Sequence, residues 1–397
     1  MNENDYSKDN PWLLPEGVDE LLPPRAMRVE QQRRELLDLF SAWGYELIMP
    51  PFIEFLDSLL TGSGHDLDLE TFKLTDQLSG RLMGVRADMT PQAARIDAHQ
   101  LLREGPVRLC YIGTVLKTRP DAMGGSRDPL QLGAELFGHA GIESDVEVIS
   151  LMLEVLRTTG VHDLYLDLGH VGIYRGLTHQ AGLGDEIEAR FFDALQRKAA
   201  IEIEELLGAA DIDSTHRAML AALPDLNGGT EVLQRAVEEL RHADKSVREA
   251  LDELAAIATS LQQREPSLPL YFDLAELHGY QYKTGAVFAA FTPGYGQELA
   301  RGGRYDNIGR IFGRARPATG FSADLKALAA LTAEPVQTAA AGVLADWTND
   351  AAALAEVRRL REQGERVVWS LPGQQGNGGC DRRLVQRKDG SWAVEPL

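Results

Sequence analysis

Apolar positions recur at helical spacing from about Arg25 to Trp43, where Leu36, Leu37, Phe40 and Trp43 share one stripe. Gly44 closes this predicted helix, and Glu46-Leu47-Ile48-Met49 opens a strand that Pro50-Pro51 ends. From Thr71 to Arg95 the pattern reads as a hairpin leading into a helix. The middle, about Gly182 to Pro266, turns to Ala, Glu and Leu at helical spacing, as in Ala194-Leu195, Ile201, Ile203 and Leu206-Leu207. Pro224, Asn227, Gly228 and Gly229 break that run in two, and its acidic stretches at Glu202–Glu205 and Glu238-Glu239 read as solvated helix faces. After Glu334 the pattern shifts again. Gly342 to Trp347 reads as a strand, Asp350 to Gln363 as a helix capped by Gly364, and Arg366 to Leu371 as a second strand. Arg382–Gln386 and Trp392–Glu395, joined by Lys388-Asp389-Gly390-Ser391, predict a hairpin.

Composition narrows the class. A chain of 397 residues that is 44% hydrophobic buries a large core and is expected to hold two or three domains. It contains no apolar run near the length of a membrane span, and Met1 to Asn10 is polar and acidic, unlike a secretory leader. Cys110 and Cys380 are the two cysteines and read as reduced thiols of a cytoplasmic protein. No Cys/His spacing suggests a metal, and no cofactor is expected. The formal net charge of −20 opposes phosphate-rich partners, and no dense basic run offsets it. Arg358-Arg359 and Arg361 lie on a predicted helix and read as a solvated face. Neither membrane nor tRNA is expected as a partner.

Several segments carry chemistry. Arg86-Ala-Asp88-Met-Thr90-Pro91 precedes a predicted helix, where an acidic or hydroxyl side chain serves either a ligand or free helix amides. Val115-Leu116-Lys117-Thr118-Arg119-Pro120 is followed by Gln131-Leu-Gly-Ala-Glu135-Leu-Phe-Gly138. Downstream come Leu277-His278-Gly-Tyr-Gln-Tyr282-Lys283, Gly302-Gly-Arg304-Tyr305-Asp306 and Gly320-Phe-Ser-Ala-Asp-Leu-Lys326-Ala327. Glycines admit close backbone approach, and tyrosines offer an apolar face with a hydroxyl. In this order the segments resemble class II aminoacyl-tRNA synthetases of the histidyl kind, over about Pro15 to Leu328.

The resemblance implies an α+β fold: a class II synthetase-like core with an antiparallel sheet and flanking helices, a helical insertion and a short C-terminal α/β tail. The expected divisions are residues 1–181 and 267–333 for the two parts of the core, 182–266 for the insertion and 334–397 for the tail. The tail is too short for a complete anticodon-binding domain. The helix–strand–proline segment is similar to the family's motif 1 and implies a homodimer. The family's histidine pocket maps onto Asp88, Thr90, Gln131, Glu135, His278, Tyr282, Arg304 and Tyr305. Carboxylates there would meet an α-ammonium, and Glu135, Tyr282 or Tyr305 would surround an imidazole.

The departures fall on the nucleotide. Leu116 and Thr118 stand where motif 2 has its phosphate arginine and its glutamate, and Ala327 replaces the arginine of motif 3. Neither Leu nor Ala donates charge-assisted bonds to phosphate. Losing one preorganised donor costs about 100- to 1,000-fold, so two independent losses approach about four to six powers of ten. Lys117 and Lys326 are the nearest substitutes, one out of register and the other at the family's glutamate position. His278 replaces the family's arginine, and Lys283 its second tyrosine. No catalytic residue is assigned. A core without both arginines and with a short tail resembles the branch of regulatory subunits of ATP phosphoribosyltransferase, which act in histidine biosynthesis. That branch implies a short-form catalytic subunit as partner in a hetero-oligomer, and free histidine as feedback ligand. Two other readings stay open: a histidine–tRNA ligase-like adenylating enzyme, and an RNA-binding regulator on a synthetase fold.

Overall fold

The computed structural model describes residues 12–60, 65–120, 125–275, 282–332 and 342–397. Two compact units emerge among the described residues: Val29–Thr332 with residues 12–21, and Leu22–Arg28 with residues 342–397.

The first unit is built on a nine-stranded sheet. Its spatial order is Glu46–Leu47, Val107–Thr114, Leu130–Phe137, Ala318–Asp324, Ala300–Arg304, Ala286–Phe291, Tyr165–His170, Leu270–Asp273 and Asn227–Gly228. The six strands from Val107–Thr114 to Tyr165–His170 pair antiparallel throughout. Period-two alternation sends successive side chains to opposite faces. Cys110, Leu132, Ala134, Phe288 and Phe321 join the core that packs on helices, while Leu109, Tyr111, Phe137 and Tyr305 form a smaller cluster on the other face.

The helix Ile142–Thr158 lies under the sheet and is apolar nearly all round, with Val148, Ile149, Leu151, Met152, Val155 and Leu156 buried. Such a helix is a core element rather than an amphipathic cover. Glu143 and Asp145 in its first turn and Arg157 in its last oppose the helix dipole. The first long helix runs Arg25–Ala42 and buries Val29, Gln32, Leu36 and Phe40. Of the expected stripe, Leu36 and Phe40 are buried and half-buried Trp43 packs against the same core, whereas Leu37 does not join it. The inward residues recur every three or four positions, and Gln32 enters the core by donating to the Thr159 carbonyl at 3.1 Å.

The strand expected at Glu46–Met49 is shorter, Glu46–Leu47, pairing parallel with Leu109 and Cys110 at the sheet edge. Lys73–Thr75 and Leu82–Val85 form the expected hairpin, joined by Ile53–Phe55 in a separate small sheet, and Thr90–Arg95 follows as a helix. Between residues 182 and 266 lie five helices: Asp185–Gln196, Ala200–Ala209, Ser214–Ala222, Glu231–Glu239 and Lys245–Arg264. The break at Pro224 to Gly229 is a single 3-10 turn and the two-residue strand Asn227–Gly228.

The second unit carries a four-stranded sheet in the order Val367–Ser370, Val343–Asp346, Arg382–Gln386, Trp392–Pro396. The first three strands are parallel and the last pairs antiparallel. The helix Ala351–Glu362 is capped by Asp350, whose carboxylate accepts the Ala353 N–H at 2.8 Å. Val343, Ala345, Val357, Leu360, Val367 and Leu384 make its core.

Candidate functional site

The Leu130–Phe137 strand presents Gln131, Gly133 and Glu135 on the sheet face opposite the main core. Tyr111 lies across from Gly133 on one neighbour, and Gly320 lies across from Glu135 on the other. Both glycines are required by space. A Cβ on Gly320 would sit 1.5 Å from Glu135 Oε2, and one on Gly133 would sit 2.5 Å from the Tyr111 ring.

Glu135 is the centre of this arrangement. Tyr111 donates to its Oε1 at 2.8 Å, and Tyr305 donates to its Oε2. Burial raises the Glu135 carboxyl to about 8, against the two tyrosine bonds, which favour the charged form. At neutral pH it is therefore largely protonated. The Tyr111 and Tyr305 hydroxyls are likewise raised, first by burial and then by the neighbouring acid.

A second group adjoins the first. Thr90 Oγ1 lies 3.0 Å from the Tyr111 hydroxyl, and the Thr90 N–H donates to Asp88 Oδ1 at 2.9 Å. Gln131 locks this turn from the strand: its Nε2 donates to Asp88 Oδ1 at 2.7 Å, and its Oε1 accepts the Met89 N–H at 2.9 Å. Asp88 Oδ2 has no hydrogen-bond partner among the described residues. Asp88 thus serves the helix start through Oδ1. The Tyr282 phenol is pushed up by burial and then by the charge of Asp88. Asp88, Thr90, Gln131, Glu135 and Tyr305 are thereby joined through Tyr111 in one hydrogen-bonded group, with the Tyr282 phenol within reach of the Asp88 charge. His278 lies outside the described residues.

Arg304 is placed differently from the expectation of a ligand contact. Its guanidinium is buried against Asp145, at 2.7 Å from Nη2 and 3.1 Å from Nε. It also donates to the carbonyls of His139 and Gly141, to Ser144 Oγ and to Asp306. All five of its N–H groups are committed, so it braces the wall behind the site. Lys283, in place of the family's second tyrosine, is also buried and donates to the Gly302 carbonyl at 2.8 Å. Tyr111 is the member that the motifs did not reveal. Its signal was its parity with Leu109 and Gly113, opposite a glycine.

The nucleotide side is closed to the substitutes considered above. Lys117 follows the strand Val107–Thr114 rather than lying within it. It bridges Thr71 and pairs with Glu70 at 3.4 Å in a buried position. Lys326 pairs with Asp128 at 2.8 Å, and Thr118 Oγ1 donates to the Leu69 carbonyl at 2.6 Å. Arg301, on the open face, pairs with Glu298 at 2.6 Å. To use Lys117, Lys326 or Arg301 as a counter-charge, a triphosphate would have to break these ion pairs. What the group offers chemically is the Asp88 carboxylate beside the Tyr111 and Tyr305 phenols on Glu135.

Comparison with known proteins gives two family matches. The family described as Histidyl-tRNA synthetase matches residues 17–328. The family described as ATP phosphoribosyltransferase subunit HisZ C-terminal domain matches residues 340–395. The chain is 61% identical to the ATP phosphoribosyltransferase regulatory subunit of Alkalilimnicola ehrlichii, with 100% of each covered. It is 59% identical to that of Azotobacter vinelandii over 97% of this chain and 98% of the relative. Among solved structures, an ATP phosphoribosyltransferase regulatory subunit/histidyl-tRNA synthetase from Bacillus halodurans C superposes with a TM-score of 0.81 at 27% identity, covering 92% of this chain and 94% of the other. The histidyl-tRNA synthetase of Nostoc sp. PCC 7120, at 17% identity and a TM-score of 0.76 over 97% of both chains, shares the fold. With the synthetase framework present and its phosphate grip absent, the chain belongs to the family of ATP phosphoribosyltransferase regulatory subunits, on the class II histidyl-tRNA synthetase fold.

Proposed function

We propose that this chain is a non-catalytic subunit that assembles with a short catalytic ATP phosphoribosyltransferase subunit in the cytoplasm and activates it for the first step of histidine biosynthesis. The observation that carries this reading is the pairing of a partly retained amino-acid face, built on Asp88, Gln131, Glu135 and Tyr305, with a disabled nucleotide face. Leu116 and Ala327 replace the phosphate arginines, and the nearby Lys117 and Lys326 are held by Glu70 and Asp128. The curated relatives' name, regulatory subunit, supports the partnership.

Free histidine is the feedback ligand in this reading. The open Oδ2 of Asp88 suits its ammonium, and the Tyr111–Glu135–Tyr305 group with Tyr282 suits its imidazole. Feedback then requires histidine to bind one state of the assembly more tightly, and a tenfold preference corresponds to about 1.4 kcal/mol. A homodimer within the complex is supported by the edge strand Glu46–Leu47 and by exposed Leu47, Met49, Phe52 and Ile53 beside it.

Reconstitution tests the proposal. Phosphoribosyl-ATP formation by the short catalytic subunit should depend on this chain, and added histidine should suppress it. An Asp88→Ala chain should still activate but require at least tenfold more histidine for inhibition. No change of rate on adding the chain, or histidine-dependent ATP–pyrophosphate exchange by the chain alone, would reject the assignment.

A further inference from the structure

The C-terminal unit holds a cleft that the reading above leaves without a role. The chain leaves the strand Val343–Asp346 through the helix Ala351–Glu362 to a strand on one side, and its next strand pairs on the other side. Strand order therefore reverses between Val343–Asp346 and Arg382–Gln386. Open α/β sheets hold ligands beyond the carboxyl ends of their strands at such reversals. A cleft of about 510 Å³ lies there, lined by Ala345, Thr348, Trp369, Leu384, Gln386 and Trp392 among others. That volume falls within the range of about 300–1,000 Å³ usual for small-molecule sites.

Polar groups inside it can be assigned from the register. Pairing of the two central strands stops at Ala345 with Leu384. On the other edge, the Arg387 N–H donates to the Ser391 carbonyl at 2.8 Å, and Gln386 lies opposite Trp392. Bonded and non-bonded pairs alternate along an antiparallel ladder, so Gln386 turns its own N–H and C=O away from Trp392. Both groups face the cleft, side by side and without a ladder partner. Trp392 Nε1 is a further buried donor with no partner among the described residues. Trp369 is supported edge-on by Trp347, with ring centroids 5.9 Å apart.

Charge limits what can enter. Asp346 is neutralised by Arg383 at 2.6 Å, and the helix amide nearest the cleft is already capped by the Asp350 carboxylate. Neither arrangement leaves a counter-charge for an anion. We propose that this cleft binds an uncharged planar nitrogen heterocycle whose edge carries a donor beside an acceptor, as adenine does, held between Trp369 and Trp392 with its edge on the Gln386 peptide.

Adenosine titrated into the full chain is the test, read by tryptophan fluorescence and calorimetry. Saturable binding is expected. It should weaken at least tenfold in Trp369→Leu and in Trp392→Leu and stay unchanged in Trp43→Phe, whose indole donates to Glu154 in the other unit. Either truncation could unfold so small a sheet, so ligand variants provide a second arm on the unaltered chain. Purine riboside lacks the exocyclic donor and should bind at least tenfold more weakly, and AMP should bind more weakly than adenosine. No saturable binding at millimolar adenosine overturns the proposal. So does purine riboside or AMP binding as tightly as adenosine, or retained affinity in both folded tryptophan variants.

Discussion

Glu135 joins two opposed demands in one side chain, since burial disfavours its charge while two phenols donate to it. In the unfolded chain its carboxyl ionises near its ordinary value of 4.5, but in the fold it keeps its proton to about 8. Between those values the unfolded state binds fewer protons, so this group's contribution to stability falls as pH rises and levels off above about 8. Glu135→Gln cannot ionise. Its melting temperature relative to the natural chain should therefore rise from pH 5 to pH 8, and a constant difference in thermal melts would contradict the assignment. Arg304 calls for a different experiment, because it is the counter-ion of buried Asp145. Arg304→Met should cost about 3–5 kcal/mol in urea unfolding by leaving a charge unpaired. Adding Asp145→Leu should recover much of that loss. Little of Arg304's role was legible beforehand. Its motif is contiguous in sequence, but its partner lies 159 residues away and on a helix.

At the scale of elements, local chemistry was readable and pairing was not. Asp350 at a helix start, and Gly364 and Gly390 at turns with positive φ, act through their nearest neighbours, and the structure places them as the sequence suggested. Leu37 was misplaced because apolar neighbours at helical spacing do not say which of them turn inward, whereas Trp43 does pack against the core with Leu36 and Phe40. The real interior includes Gln32, which becomes tolerable only once the Thr159 carbonyl is known to wait for it. Strand order was equally hidden. Ala134 lies beside Phe321, a pairing that no local pattern specifies. Tyr111 stayed unseen for that reason, although Tyr305 could be found from its motif. The edge element Glu46–Leu47 yields its own prediction. An edge strand with exposed apolar neighbours is a pairing surface. Phe52→Asp should move the chain from dimer to monomer in sedimentation velocity, and an unchanged sedimentation coefficient would argue against a dimer at that edge.

For the whole molecule, charge and architecture act together. A net charge of −20 and a short C-terminal sheet leave little with which to hold a polyanion. Electrophoretic mobility of tRNA should not shift with this chain at physiological salt, and a salt-sensitive shift would revive an RNA-binding role. The feature with the longest reach is the pair of lysines tied to Glu70 and Asp128. Restoring one arginine, at position 116 or 327, would recover about two or three powers of ten and leave a deficit of similar size. A return to adenylation therefore needs both arginines at once, so neither substitution alone should give measurable ATP–pyrophosphate exchange.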